Sequence, residues 1–226
     1  MSKNVVEFVE TAIRGLTAQW SEWCDTRYSL NKFYKNKDFK AADLELSRRY
    51  WGRSAFGISR NFLKQQGESD IHSYGETPLR TLAEMTERCG LGATDCIFEL
   101  GCGRGRGCLW WRAMLGCRVV GVEIVPEFVN TAIEVIEKLE WEQIEFRKED
   151  FRETDLAEAT FVYLTGTCFD DEALRELGER FRSLPPRSRV LSVSSPIELE
   201  NVLEVVDAFP VKFHWGSTEA YLQMRI

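Results

Sequence analysis

The sequence has little of what a metal centre or a disulfide framework needs. It contains only two histidines, His72 and His214, and its seven cysteines include no pair at the C-x-x-C spacing of a zinc site. Seven is an odd number, most of these cysteines lie in apolar runs, and no export signal is evident, so reduced and packed thiols are expected. The sequence therefore predicts neither a metal site nor structural disulfides.

Long apolar stretches are also absent. The longest uncharged stretch is 159–169, well short of the roughly 18 apolar residues that a membrane-spanning helix needs. Glu7 and Glu10 interrupt the apolar residues near the amino terminus, where no basic segment followed by an apolar one resembles a secretory signal. We therefore expect no membrane partner and, by default, a cytoplasmic location.

The charge is acidic overall but unevenly distributed. The 226 residues are 44% apolar and 29% charged, as in ordinary folded domains, and the net charge is −7. The segment 27–64 nevertheless holds ten lysines and arginines against three acidic residues. An acidic body would attract a basic substrate, and the basic segment an anionic partner, although solvated helix faces explain the same pattern more simply.

Two regions differ in their apolar periodicity. Residues 1–70 have helical spacing and predict a helical amino-terminal region that covers the site or recognises the acceptor. Residues 71–226 alternate short apolar runs with helical periods, which is typical of a parallel sheet built from βαβ units. The predicted fold is α/β, a doubly wound and mostly parallel seven-stranded sheet that ends in an antiparallel hairpin.

Individual elements follow from the same patterns. Thr77 and Pro78 predict a helix start, and Pro126 opens a long helix. The other predicted elements are strands at 96–100, 119–123, 144–148, 161–165 and 189–193, helices at 107–115, from about 171 and from about 198, and a hairpin of 211–215 with 218–226.

The strongest chemical signal is a glycine-rich turn between a strand and a helix. Residues 98–107 read Phe-Glu-Leu-Gly-Cys-Gly-Arg-Gly-Arg-Gly. Gly101 and Gly103 let the backbone turn sharply and approach a ligand, and the helix that follows offers free N–H groups. Glu123 ends the next strand, where a carboxylate accepts bonds from ribose hydroxyls. Asp150 follows the third strand, where its carboxylate can accept a hydrogen bond from the amino group of an adenine while the neighbouring Phe151 packs near the ring.

The glycine spacing selects among adenosine-containing cofactors. The dinucleotide fingerprint is G-x-G-x-x-G, but these glycines run G-x-G-x-G-x-G with Arg106 inside the pattern, which disfavours a pyrophosphate and NAD. Glu99 adds a carboxylate that would repel a pyrophosphate but suits an ammonium or a sulfonium group. These features favour S-adenosyl-L-methionine.

At these residues the sequence, over roughly 74–226, resembles the class I S-adenosylmethionine-dependent methyltransferases. ELGCGRG at 99–105, VVGVE at 119–123 and EDF at 149–151 resemble their first three motifs. Within the class, Tyr-Gly-Glu at 74–76, the stretch 165–169 and Phe-His-Trp-Gly at 213–216 resemble the Dot1-type lysine methyltransferase group. The resemblance implies a methyltransferase whose acceptor is a protein lysine amine. Thr165 and Thr167 stand where polar amides are common in that group, and no long basic tail is present, which disfavours a nucleosome substrate.

The expected site combines residues from the motifs and from the resemblance. The resemblance implies that Tyr74 and Glu76 lie near the methionine end of the cofactor and that 165–169 line the face of methyl transfer. The cofactor-binding set is Tyr74, Gly75, Glu76, Thr77, Glu99, Gly101, Cys102, Gly103, Gly105, Glu123, Ile124, Asp150, Phe151 and Thr165. The set expected around the acceptor and the methyl group is Tyr74, Thr167, Phe169 and Trp215.

Other functions stay open from the sequence. The acceptor could be a small molecule instead of a basic protein. An Asn/Asp-Pro-Pro-Tyr motif is absent, which disfavours nucleobase amines as acceptors. From another class, a nucleotide- or RNA-binding module without methyl transfer would use the basic and aromatic segment 27–64.

Overall fold

The protein is built around one mixed seven-stranded sheet. The structure, a computed structural model, describes residues 26–67, 74–165 and 171–226. In those ranges the strand order is β3-β2-β1-β4-β5-β7-β6. The strands are β1 (Cys96–Leu100), β2 (Arg118–Glu123), β3 (Ile144–Lys148), β4 (Phe161–Thr165), β5 (Arg189–Val193), β6 (Leu203–Phe213) and β7 (Gly216–Arg225). Strands β1 to β5 run parallel to one another, and β7 runs antiparallel to both of its neighbours, β5 and β6. This arrangement confirms the predicted fold class.

Helices cover both faces of this sheet. They are α1 (Lys37–Arg49), α2 (Ala55–Gln66), α3 (Leu79–Arg88), α4 (Arg106–Leu115), α5 (Pro126–Lys138) and α6 (Asp171–Arg180). One apolar core joins α1, α3, α4 and α5 to the sheet, and a second lies on the opposite face with Leu177 of α6. The strands are apolar on both faces, as a parallel sheet covered by helices requires.

The strands that precede the described site residues end at one edge of the sheet. Leu100 pairs with Val122, and Glu123 pairs with Lys148, so the first three strands end side by side. Because β7 runs antiparallel to β5, the turn between Phe213 and Gly216 lies at the same edge. The carboxyl ends of parallel strands are where ligands bind in such sheets.

One predicted element is wrong. The helix expected from about residue 198 does not form: 194–202 are turns and irregular backbone, and 203–213 are strand β6. Asn201 has a φ of 58°, which breaks a helix, and β6 gains a long ladder of hydrogen bonds with β7, with one register shift between Val205 and Asp207. The hairpin is therefore longer than predicted, and the helix after Thr77 begins at Leu79 with Pro78 as its N-cap.

The amino-terminal helices pack onto the sheet and its flanking helices. Phe33, Phe39 and Leu46 are buried in the same apolar core as Trp110 of α4. Asp43 accepts hydrogen bonds from Arg106, with the Nε–Oδ1 and Nη2–Oδ2 distances at 2.7 and 2.9 Å. Since Asp43 is only 2% exposed, this contact links α1 firmly to the start of α4. No helix in the described part of the chain is long and apolar enough to cross a membrane.

Candidate functional site

The glycine turn between β1 and α4 has the backbone that the sequence predicts. Gly101, Gly103 and Gly105 have φ values of 74°, 55° and 78°, a region that side chains disfavour. The N–H groups of Gly101 and Cys102 donate to the carbonyl of Val122, at 2.9 and 3.0 Å, which holds the loop against β2. A Cβ on Gly103 would lie 3.3 Å from the ring of Tyr74, so a side chain there would fill the cradle.

Gly105 is restricted by packing as well as by its backbone. A Cβ there would overlap the ring of Phe146 on β3, whereas Gly116, at the end of α4 with a φ of 71°, has open space at the same position. We expect Gly105→Ala to lower the free energy of unfolding by about 2–4 kcal/mol, because backbone strain and overpacking add. Gly116→Ala should lower the free energy of unfolding by about 1–2 kcal/mol, because only the backbone strain applies there.

Urea denaturation of both glycine variants measures this difference, and Phe146→Leu in the Gly105→Ala background should recover part of it. Equal losses in the two single variants would contradict the packing argument.

Glu123 is the buried acidic residue that organises the loop. One carboxylate oxygen accepts from the N–H of Gly103 at 2.8 Å, and the other accepts from the N–H groups of Ile124 and Val125 at 2.8 and 2.9 Å. Burial raises the pKa of Glu123, and these backbone bonds oppose that rise. A carboxylate has about four acceptor positions, so one remains for a ribose hydroxyl.

Glu99 lies beneath the same loop. Its side chain is buried, the thiol of Cys108 donates to it at 3.0 Å, and burial raises its pKa to about 8. A Cβ on Gly107 would lie 2.8 Å from a carboxylate oxygen of Glu99. The glycine at this position therefore lets α4 begin directly against the carboxylate.

Tyr74, Glu76 and Arg104 form a connected polar group at the loop. The hydroxyl of Tyr74 donates to Glu76 at 2.6 Å, and the guanidinium of Arg104 donates to both oxygens of Glu76 at 2.5 and 2.7 Å. Although burial opposes it, the Arg104 guanidinium lowers the pKa of Glu76. Sequence reasoning missed Arg104, whose only signal was its place between two glycines of the turn.

The remaining predicted cofactor residues lie along the same sheet edge. Asp150 caps the short turn that includes Phe151 and accepts from the N–H of Arg152 at 2.9 Å; hydrogen bonds from Arg152 lower its pKa. Cys102 is buried, Gly75 is exposed, and Ile124 is 45% exposed. Thr165 ends β4 beside Val193 of β5.

Aromatic side chains of the terminal hairpin lie at the same edge of the sheet as the glycine turn. Trp215 is 58% exposed and stacks on Phe213 with ring centroids 5.2 Å apart. The hydroxyl groups of Thr77 and Tyr163 are 2.7 Å apart, which ties the start of α3 to β4. Thr167 and Phe169 lie outside the described residues.

The site fits an adenosine-containing cofactor that bears a cation. The glycine cradle lies beside a buried carboxylate with an acceptor position left, Glu76 supplies further negative charge, and Glu99 is a carboxyl group whose ionisation a bound cation would favour. A neutral or negatively charged sulfur nucleotide would gain less from those three acidic groups than a sulfonium.

Comparisons with known proteins identify the class of domain in this chain. Residues 97–186, less than half of the chain, match the family model described as a methyltransferase domain. A search of the curated proteins finds no significant match.

Many solved structures share the fold. An RNA methyltransferase from Salinibacter ruber, solved with S-adenosyl-L-homocysteine, is 28% identical over 67% of this chain and 94% of its own, with a TM-score of 0.54. TrmN from Thermus thermophilus is 16% identical over 64% and 48% of the two chains, with a TM-score of 0.54. Geranyl diphosphate C-methyltransferase from Streptomyces coelicolor A3(2) is 14% identical over 70% and 78%, also at 0.54. The last two show the fold alone.

The fold, the site and the matched domain together define an S-adenosylmethionine-dependent methyltransferase. Within this class, the acceptor distinguishes one enzyme from another.

Proposed function

We propose that this enzyme transfers a methyl group from S-adenosylmethionine to the amine of a protein lysine. The observation that carries the proposal is the exposed, stacked Trp215 at the same sheet edge as the glycine loop and Glu123. The aliphatic stem of a lysine packs well on an indole face, and its ammonium is attracted to that face. The resemblance of 74–76, 165–169 and 213–216 to the Dot1-type group points to the same acceptor.

The residues of the chain do their work by binding and orientation. When bound, S-adenosylmethionine supplies an electrophilic methyl group on a good leaving group. Glu123 and the glycine loop hold the ribose side, and Tyr74 and Glu76 border the methionine side. Because the leaving group is already good, alignment of the amine with the methyl carbon provides most of the acceleration.

The lysine must lose its proton before it reacts. An ammonium loses charge readily when aromatic and apolar groups exclude water, because burial lowers its pKa. Tyr74, which is partly buried against the apolar core, is the described side chain suited to this step, whereas Trp215 binds the ammonium before it loses its proton. The resemblance implies that Phe169 and Thr167 line the same face. The acidic body favours a basic protein as the partner, and a cytoplasmic location stays a prediction of the sequence.

RNA is the second candidate acceptor. Two observations favour it: the basic segment 27–64, where Trp51 is 88% exposed, and the similarity to an RNA methyltransferase from Salinibacter ruber. Exposed aromatic rings among cations are a common arrangement for stacking single-stranded bases.

Radiolabelled methyl transfer tests the proposal. The full chain would be incubated with S-adenosylmethionine and, separately, lysine-rich peptides, RNA and small amines. We expect label on the peptides, a loss of about tenfold in kcat/KM for Trp215→Ala through the lost cation–π and stacking contact, and little change for Trp51→Ala. Label on RNA with greater sensitivity to Trp51→Ala would support the second candidate, and label only on small amines would reject both.

A further inference from the structure

Arg104 is a partly buried cation with no assigned task in cofactor binding. Its side chain is 20% exposed although it belongs to a surface loop, and it lies between Gly103 and Gly105, both at positive φ. The guanidinium lies 5.0 Å from the ring centroid of Tyr50, which precedes α2. Contacts from two other parts of the chain therefore fix this side chain: Tyr50, and the pair of Tyr74 and Glu76.

The charges around the loop create a need for a cation. Glu123 lies at the ribose side of the expected cofactor site, and Glu76 and Glu99 place two carboxyl groups at its methionine end. These groups suit the ammonium and the sulfonium of S-adenosylmethionine but would repel its carboxylate. The methionine end of the cofactor carries both an ammonium and a carboxylate. Its site therefore needs a cation for the carboxylate beside the carboxyl groups that suit the ammonium.

The other cations near this edge have different positions or partners. Arg106 is turned to the buried Asp43 by two hydrogen bonds. Lys148 and Arg152 lie on the far side of β2, at β3 and after it, and Arg152 binds Asp150. Among the residues that the structure describes, Arg104 is the cation placed directly on the glycine turn.

From this juxtaposition we propose that Arg104 binds the carboxylate of the methionine end of S-adenosylmethionine, next to Glu76, which receives the ammonium. The inference rests on the proposed function, since it assumes the same cofactor. A guanidinium has five N–H donors, and two of them point at Glu76, so others remain for a second carboxylate. The pair of Glu76 and Arg104 then matches the two opposite charges of an amino acid.

The experiment compares two ligands that differ only in the carboxylate. Calorimetric titration would measure the affinity of the wild-type chain for S-adenosylmethionine and for decarboxylated S-adenosylmethionine, which keeps the ammonium and the sulfonium. We expect the carboxylate to improve binding by about tenfold or more, as a charge-assisted pair does. In Arg104→Met that preference should fall close to one.

Two further variants keep the test selective. Arg104→Gln can still donate to Glu76 and should fold even if Arg104→Met does not, and it too should lose the preference. Arg118→Met removes the same charge from the opposite end of β2, where Arg118 pairs with Glu158, and should keep the preference.

The outcomes separate the two proposals. Equal weakening of both ligands in the Arg104 variants, or no preference in the wild type, would overturn the role of Arg104 while leaving the cofactor in place. Binding of neither ligand by the folded wild-type chain would remove the cofactor assignment, and the role of Arg104 with it.

Discussion

Replacement of Glu123 by alanine should strongly weaken cofactor binding and destabilise the empty protein. The carboxylate satisfies the N–H groups of Gly103, Ile124 and Val125, and it is only 8% exposed. Loss of three charge-assisted bonds, two to buried donors and one to a partly buried donor, should lower the free energy of unfolding by about 3–5 kcal/mol. The affinity for S-adenosylmethionine should fall by about 100-fold or more, because the ribose acceptor and the loop geometry are lost together.

The conservative variant Glu123→Gln separates the effect on the stability of the protein from the effect on cofactor affinity. Glu123→Gln keeps one oxygen, which can still accept from Ile124 and Val125, but offers an NH₂ group to the N–H of Gly103. We expect about half the loss of stability seen in Glu123→Ala, and a binding defect nearly as large. Glu134→Ala, which removes an exposed carboxylate from α5, is the matched control. Wild-type affinity in the folded Glu123→Ala variant, measured by calorimetry, would show that this carboxylate is not part of the cofactor site.

Local signals were enough to predict the strands and the glycine turn. The strands at 96–100, 144–148, 161–165 and 189–193 have the predicted bounds, because short apolar runs bounded by turn residues permit little else. The turn at 101–105 was predictable because only glycine suits three positive φ values so close together. The place of Glu123 at the end of β2 was predictable from the apolar run before it, and its role toward the cofactor stays a prediction.

Features that depend on distant residues were not predictable. The partnership of Arg104 with Glu76 joins positions 28 residues apart, and that of Arg106 with Asp43 joins positions 63 apart. Nothing local distinguishes those arginines from solvated ones. The strand β6 was missed for a related reason: its exposed Val205 and Val206 break strict alternation, and its pairing with β7 determines its conformation.

The stability of the empty protein should fall as the pH rises from about 5 to 8, and Glu99 is the principal reason. Burial raises its pKa from an ordinary value of 4.5 to about 8. A group whose pKa is higher in the folded state contributes stability that is fully present below 4.5 and is lost as the pH rises to 8. The loss is up to about 1.4 kcal/mol for each pH unit in that window.

Glu99→Gln isolates this contribution, because the amide cannot ionise and has nearly the same shape. The difference in unfolding free energy between variant and wild type, from urea denaturation at several pH values, should grow in favour of the variant between pH 5 and 8. Glu123→Gln is unsuitable as a control here, since burial also raises the pKa of Glu123, so exposed Glu145→Gln serves instead. A difference that stays constant with pH would mean that Glu99 is already ionised in the empty protein.

The same titration connects Glu99 to cofactor binding. At pH 7 a carboxyl group with a pKa of about 8 is mostly protonated, but a bound cation nearby would favour its charged form. Binding of S-adenosylmethionine to the wild-type chain at pH 7 should therefore release up to about one proton. Calorimetry in two buffers with different ionisation enthalpies measures that number directly. Glu99→Gln should release almost none, and equal release by the two proteins would assign the proton to another group and separate Glu99 from the methionine end of the site.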